Sequence, residues 1–360
     1  MSAERAQRLA DAVAERGLDA LLVTDLVNLR YVSGFSGTNG LAVVGAGADG
    51  ARVFVTDFRY VERAADEVQG FEQRRGGRDL FDSVGEALPA ERPLRLGFDD
   101  AHLPVRRHRE LGAALDDDVE LVPAGGMVED LRQVKEPGEL KRIRAAAALA
   151  DDAFNAMLER GLTGRTEQAV ALDLEDEMRH RGATAPSFPS IVAAGPHGAL
   201  PHAEPREVEI EAGTLVVIDF GALVDGYCSD CTRTVATGKL DGEAGDVYAL
   251  VQWAQQAGLD AVRAGPSGRD VDAAARAVIE ESGHGEEFGH GLGHGVGLEV
   301  HEAPRLAKSD DSALQAGNVV TVEPGVYLPG RLVVRIEDLV VVTQDGAEVL
   351  SSVPKDLITV

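Results

Sequence analysis

Short apolar, β-branched runs alternate with amphipathic stretches over roughly the first 125 residues. LDALLVTD, GLAVVGAG and ARVFVTDF read as strands, 58–69 and 79–88 as helices, and RLGFDD and VELVPAG as later strands. The alternation predicts an α/β domain with its own core. GAGADG, from Gly45 to Gly50, matches G-x-G-x-x-G by letter. A strand follows it where a dinucleotide site needs a helix, so it reads as a hairpin turn.

Around PAGGMVEDLRQVKEPGEL the glycines give way to a charged helix start, with Pro137 in its first turn and Gly161 at its end. The expected domains are therefore 1–127 and 128–360. Helices at about 138–160 and 166–181 lead into strands at 190–194, 214–220 and 227–236. Helices at about 243–264 and 268–282 then lead into strands around 287–300, 317–323 and 331–343. Two helices followed by antiparallel strands, twice over, predict an α+β domain duplicated about a pseudo-twofold axis. The repetition lies in element order, since the halves share little at the residue level.

A length of 360 residues suits two domains. The net charge of −26 argues against nucleic acid and anionic membrane as partners. Only 5 of the 35 basic residues are lysine, a bias that adaptation to high salt and a GC-rich genome both produce. No apolar run approaches the roughly 20 residues that span a bilayer. MSAERAQRLADAVAERG reads as an amphipathic helix without a signal peptide's apolar core, so a cytoplasmic location is expected.

The chemistry concentrates in the last 140 or so residues. Asp219 in VVIDFGA, Asp230 in YCSDCTRT, Glu323 in TVEPGVY and Glu337 in VVRIEDLVVV lie in or beside apolar runs. An ionised acid there is costly unless something positive offsets it. Each half supplies a pair, one acid ending a strand and the other expected on the next strand across a turn. Four such acids meeting in one place need cations, so a carboxylate-rich site for two divalent ions, and hence a hydrolase, is the leading reading.

Histidines join them. His290 and His294 project from a segment with glycine at every second position, Gly289 to Gly297, which lets other groups approach the backbone. His301 follows, and His202 in ALPHAEP is a further candidate for contact with a substrate carbonyl. Arg335 shares a strand face with Glu337 by alternation, where a guanidinium would balance leftover acid charge. Cys228 and Cys231 form a lone C-x-x-C without the context of a zinc ribbon or thioredoxin motif. On an extended strand Cys228 would share the face of Asp230, which implies oxidant-sensitive activity.

NLRYVSGFSGTNG, VVIDFGALVDGYCSDCTRT, HGLGHGVGLEVHE, VEPGVY and VRIEDLVVV, in that order, resemble the pita-bread metallopeptidases, in particular the Xaa-Pro branch of aminopeptidase P and prolidase. The resemblance covers nearly the whole chain. It implies an α/β domain of the creatinase/prolidase N-terminal type followed by a pita-bread catalytic domain. It also implies that Asp219 chelates one metal, that Asp230 and Glu337 bridge both, and that His294 and Glu323 complete the other. His301 would contact substrate and stabilise the intermediate, His202 would polarise the scissile region, and Glu323 would relay a proton. Arg335, Tyr327 and His290 would support these groups.

The implied reaction removes an N-terminal residue that precedes proline. The implied ions are two divalent metals, manganese first, with cobalt, iron or zinc as alternatives. A proline-containing peptide is the expected partner, and a homodimer the expected assembly. The creatine-hydrolysing relatives lack this complete ligand set, and methionine aminopeptidases usually lack the N-terminal domain. A metal aminopeptidase without proline selectivity, or a binding protein that kept the fold, stand as alternatives.

Overall fold

The structure is a computed structural model that describes residues 2–201, 203–240 and 242–360. It divides into two compact units, Met1–Arg132 and Gln133–Val360.

In the first unit, β1 (Ala20–Val23), β2 (Gly40–Gly45), β3 (Arg52–Thr56), β4 (Glu72–Arg75), β5 (Leu94–Phe98) and β6 (Val119–Pro123) form one sheet in the order β4-β3-β2-β1-β5-β6. The helices are α1 (Ser2–Glu15), α2 (Leu26–Ser33), α3 (Val61–Glu67), α4 (Val84–Ala87), α5 (Val105–Ala114) and α6 (Met127–Gln133). Gly45 N–H donates to Ala51 O at 2.7 Å and closes the β2–β3 hairpin at GAGADG. Strand β1 is antiparallel to β2 and parallel to β5, so the C-terminal ends of β1 and β5 lie side by side. The core gathers Leu22, Val43, Val55, Leu96 and Leu111, all buried. The helix expected over 79–88 is a 3₁₀ turn at Leu80–Ser83 running into the single turn of α4.

The second unit opens with α7 (Pro137–Leu158) and α8 (Glu167–His180), followed by β7 (Ala185–Pro186), β8 (Ile191–Ala194), β9 (Leu215–Phe220), β10 (Ala222–Val224), β11 (Tyr227–Cys228) and β12 (Cys231–Ala236). Helices α9 (Gly242–Ala261) and α10 (Gly268–Glu281) follow, then β13 (Gly293–Gly295), β14 (Glu302–Leu306), β15 (Val319–Val322), β16 (Gly325–Leu328), β17 (Leu332–Arg335), β18 (Asp338–Val342) and β19 (Ala347–Val349). The duplication is plain in the pairing. Strand β9 lies between β8 and β12, just as β15 lies between β13 and β18. The hairpin β10–β11 of the first half answers β16–β17 of the second.

Three strands differ from the sequence reading. The runs at 227–236 and 331–343 are each broken in two, at Ser229-Asp230 and at Ile336-Glu337. The strand expected over 287–300 shrinks to Gly293–Gly295, because alternating glycines leave few side chains to pack on either face. Glycine is required there for another reason. A Cβ on Gly293 would stand 2.0 Å from Thr321 O, and one on Gly295 would stand 2.4 Å from Ala303 O.

Candidate metal centre

The two strand breaks place two acids. Asp230 is the residue just before β12 and Glu337 the residue just before β18, so they hold equivalent positions in the two halves. The other two acids are not equivalent. Phe220 pairs with Cys231 and Val322 pairs with Asp338, which makes Thr321 the counterpart of Asp219. Glu323 lies two residues beyond that counterpart.

These acids line a cavity of about 550 Å³ together with His290, His294, His301, Tyr327 and Arg335. Asp230, His294 and Glu337 offer ligand atoms that all lie within 4.8 Å of one another. His294 Nδ1 donates to Gly295 O at 3.1 Å. That leaves Nε2 facing Glu323 Oε1 at 3.2 Å and Asp230 Oδ2 at 3.7 Å. The rings of His294 and His301 are 4.3 Å apart, centre to centre. Residue 202 lies outside the described residues; its neighbours Pro201 and Ala203 line the cavity.

The electrostatics of the cluster are those of a site that wants cations. Burial, then Glu337 and Asp219, hold the Asp230 carboxyl well above its ordinary range. Burial, then Glu323 and Asp219, do the same to Glu337. Asp219 is also raised by burial, against the pull of Arg335. Burial pushes Glu323 the same way, but the His294 imidazole overrides it and brings Glu323 down to about 2. His294 is raised by Glu323 in spite of its own burial.

A test of fit for metal is available in the oxygens themselves. Asp219 Oδ2 accepts from Arg335 Nη2 at 2.5 Å, and Glu337 Oε2 accepts from Thr232 Oγ1 at 2.8 Å. Their other oxygens, Asp219 Oδ1 and Glu337 Oε1, are buried and have no hydrogen-bond partner among the described residues. Native proteins rarely leave such groups unpaired. One oxygen held by the protein and one left bare is how a metal-ligating carboxylate is oriented. The donor set fits divalent ions.

Residues 141–344 match metallopeptidase family M24, and residues 5–134 match the creatinase/prolidase N-terminal domain. The chain belongs to metallopeptidase family M24. It is 35% identical to an Xaa-Pro dipeptidase of Pyrococcus furiosus, over 99% of each chain. Among solved structures it resembles an Xaa-Pro dipeptidase from Bacillus anthracis, with 40% identity, a TM-score of 0.95 and complete coverage of both chains. It also resembles an X-Pro aminopeptidase from Thermotoga maritima, with 34% identity and a TM-score of 0.88 over 96% of this chain and 99% of that one. The fold is thus a creatinase-type domain followed by a pita-bread catalytic domain, and as an M24 metallopeptidase the chain is an enzyme that works with divalent metal ions.

Sequence reasoning missed the residues that hold the candidate ligands in place. Thr232 links the two halves, since its hydroxyl donates to Glu337 and accepts from Arg335 Nε at 3.0 Å. Thr321 Oγ1 accepts from His294 N–H and donates to Glu323 Oε1, each at 3.1 Å. Arg276 on α10 donates to Phe288 O at 2.9 Å and His290 O at 2.7 Å, while Asp272 accepts from Leu292 N–H at 3.0 Å. That pair pins the glycine-rich segment. The available signal was D-x-x-x-R at helical i,i+4 spacing just before the segment.

Arg335, Tyr327 and His290 form a chain of hydrogen bonds. Arg335 Nη1 donates to the Tyr327 hydroxyl at 3.0 Å, which donates to His290 Nε2 at 3.0 Å. His290 Nδ1 donates to Gly291 O at 2.7 Å, and burial holds the ring below its ordinary value.

The cysteine reading is corrected. The break at Ser229-Asp230 abolishes the alternation that would have put Cys228 on the face of Asp230. Cys228 packs instead among Ile143, Ala147, Val296 and Leu339, away from the cavity lining. Neither cysteine is disulfide-bonded, both are buried, and burial pushes Cys231 well above the ordinary thiol range.

Proposed function

We propose that the chain hydrolyses the bond between an N-terminal residue and a following proline, with two divalent ions held by Asp219, Asp230, His294, Glu323 and Glu337. The observation that carries this reading is the convergence of four acids in the lining of one cavity, Asp230 and Glu337 buried, Asp219 and Glu323 partly buried, and two of the four with a bare oxygen. Phe188, Pro189, Ile191 and Pro205 form an apolar part of the lining, suited to a proline ring.

The ions, when bound, supply an acidified water and positive charge for a developing oxyanion. The protein's own residues do the rest. The acid-rich end of the cavity attracts a free amino terminus, which favours removal of terminal residues. His301, beside His294, presents an imidazole to the cavity to stabilise the oxyanion. Proline's amide nitrogen has no proton, so it must be protonated as it leaves. Glu323, ionised and at the cavity wall, accepts the proton of the attacking water and returns it to that nitrogen. His202 is assigned to the scissile carbonyl by resemblance to the family. Arg335, Tyr327 and His290 hold Asp219 and the wall of the cavity in position.

Manganese is the proposed native ion, with cobalt, iron or zinc as substitutes in a site rich in oxygen with one imidazole. A homodimer is proposed by resemblance to the family, and a cytoplasmic location as the expectation drawn from the sequence. Among the described residues no helix is long and apolar enough to cross a membrane.

The test compares Xaa-Pro and Xaa-Ala dipeptides, and Xaa-Pro-Yaa-Zaa peptides, after chelation and reloading with Mn²⁺. Cleavage confined to the bond before proline is expected, and the longer peptides separate dipeptidase from aminopeptidase behaviour. Equal rates on Xaa-Ala would overturn proline selectivity. Asp230→Ala should lose turnover while keeping its fold by circular dichroism.

A further inference from the structure

The first unit contains a second group of metal-ligand residues with no place in the peptidase reading. We propose that Asp99, His102 and Glu129, with Asp25 alongside, bind one further divalent cation, of the zinc or cobalt class. This site is independent of the catalytic one.

Topology brings the residues together. The parallel strands β1 and β5 end at Val23 and Phe98. Asp25 follows β1 and caps α2, its carboxylate accepting from Asn28 N–H at 2.8 Å. Asp99 follows β5, and its carbonyl accepts from His102 N–H at 3.3 Å and Leu103 N–H at 3.0 Å, a turn that folds His102 back. Glu129 comes from the first turn of α6. The crevice at the C-terminal ends of parallel strands is where open α/β sheets commonly take ligands.

The geometry favours an ion over a proton. Asp99, His102 and Glu129 offer ligand atoms within 4.8 Å of one another. His102 Nε2 is 3.4 Å from Glu129 Oε1, and Nδ1 is 3.8 Å from Asp25 Oδ1. Both exceed the 2.7–3.2 Å range of an N–H···O hydrogen bond. Two ligands of a tetrahedral ion with bonds near 2.1 Å stand about 3.4 Å apart, which matches the first distance.

A second observation points to a missing ligand. Asp99 is only 7% exposed, and its buried Oδ1 has no hydrogen-bond partner among the described residues. With Glu129 it borders a small void of about 10 Å³, otherwise lined by apolar side chains such as Leu22 and Met127, so no polar neighbour on that side takes the oxygen.

The surroundings orient these groups as a metal site requires. The buried Asn28 amide donates to Asp99 Oδ2 at 3.1 Å and to Glu129 Oε1 at 2.8 Å. Arg132 Nη1 donates to Asn28 Oδ1 at 2.9 Å, which fixes the amide's direction. His102 also borders a cavity of about 690 Å³, which provides the entry path. An imidazole among carboxylates selects zinc or cobalt over calcium or magnesium.

The test is an ion count on the full-length protein, chelated and then equilibrated with Zn²⁺ or Co²⁺. Wild type is expected to hold one ion per chain more than Asp99→Asn and than His102→Ala, with peptidase turnover unchanged in both variants. The His102 side chain is 37% exposed, so His102→Ala gives a reading even where Asp99→Asn fails to fold. Equal counts in wild type and His102→Ala would overturn the proposal, as would an extra ion that Ca²⁺ or Mg²⁺ fills in preference to Zn²⁺. The count reads this site whether or not the chain cleaves Xaa-Pro peptides.

Discussion

The hydroxyl of Thr232 donates to Glu337 Oε2 at 2.8 Å, across 105 residues of chain and between the two halves of the catalytic unit. Thr232 sits on β12, opposite Asp219 on β9, so one side chain touches the surroundings of two proposed ligands. Thr232→Val keeps the shape and the β-branch but removes the hydrogen bond. Metal affinity should fall about 10- to 100-fold, as when other supports of metal ligands are removed. Turnover at saturating Mn²⁺ should recover much of its wild-type value. A metal titration of activity checks this, and an unchanged affinity would count against the linking role.

Removal of metal should be coupled to protons. Asp230 and Glu337 are raised in the ion-free cluster, first by burial and then by neighbouring acids. They therefore hold protons at pH values where ordinary carboxylates have lost them, and must release them to bind ions. Apparent metal affinity should rise with pH until both are ionised. Calorimetric titration in buffers of different ionisation enthalpy would detect the released protons, and buffer-independent heats would refute the coupling.

The backbone of Glu337 is held by a buried ion pair. Arg233 donates to Glu337 O and Thr232 O, and its guanidinium pairs with Asp338 Oδ1 at 2.8 Å, both side chains only 1% exposed. Arg233→Met leaves Asp338 buried with part of its compensation gone, although Gln255 and Lys355 still donate to Oδ2. Removing one partner of a buried pair costs about 3–5 kcal/mol. Urea unfolding should show a loss of that order, and Asp338→Asn added to Arg233→Met should restore part of it.

The buried thiols should be bystanders. Cys228 is packed in the apolar core, out of reach of the cavity, and burial favours the thiol form of Cys231 over the thiolate that oxidants attack. Wild type and Cys228→Ala should lose activity to peroxide at the same rate. Selective protection in the variant would revive a role for Cys228 near the ligands.

The element order of the second unit, its duplication and the five ligand candidates were legible in the residues, because acids in β-branched runs and glycine-stripped histidine segments are costly unless they serve a purpose. Less legible were the short helices. The eight residues of α2 carry mixed apolar and polar positions, and only the cap at Asp25 and the left-handed Gly34 betray its ends. The strand breaks were hidden too. Tyr227–Ala236 and Leu332–Val342 read as continuous strands, since their composition is β-forming throughout.

The sequence by itself determined which side chains could not be left alone in an apolar interior, and so which ones are candidates to meet a cation. Only the tertiary structure decided how they meet. The breaks before β12 and β18 turn Asp230 and Glu337 inward, Thr232 ties one half to the other, and Asn28 draws Asp99 and Glu129 together in the first unit. Periodicity follows one chain segment at a time, whereas a ligand set is made by register between strands and by hydrogen bonds reaching across about 100 residues, which no local pattern encodes.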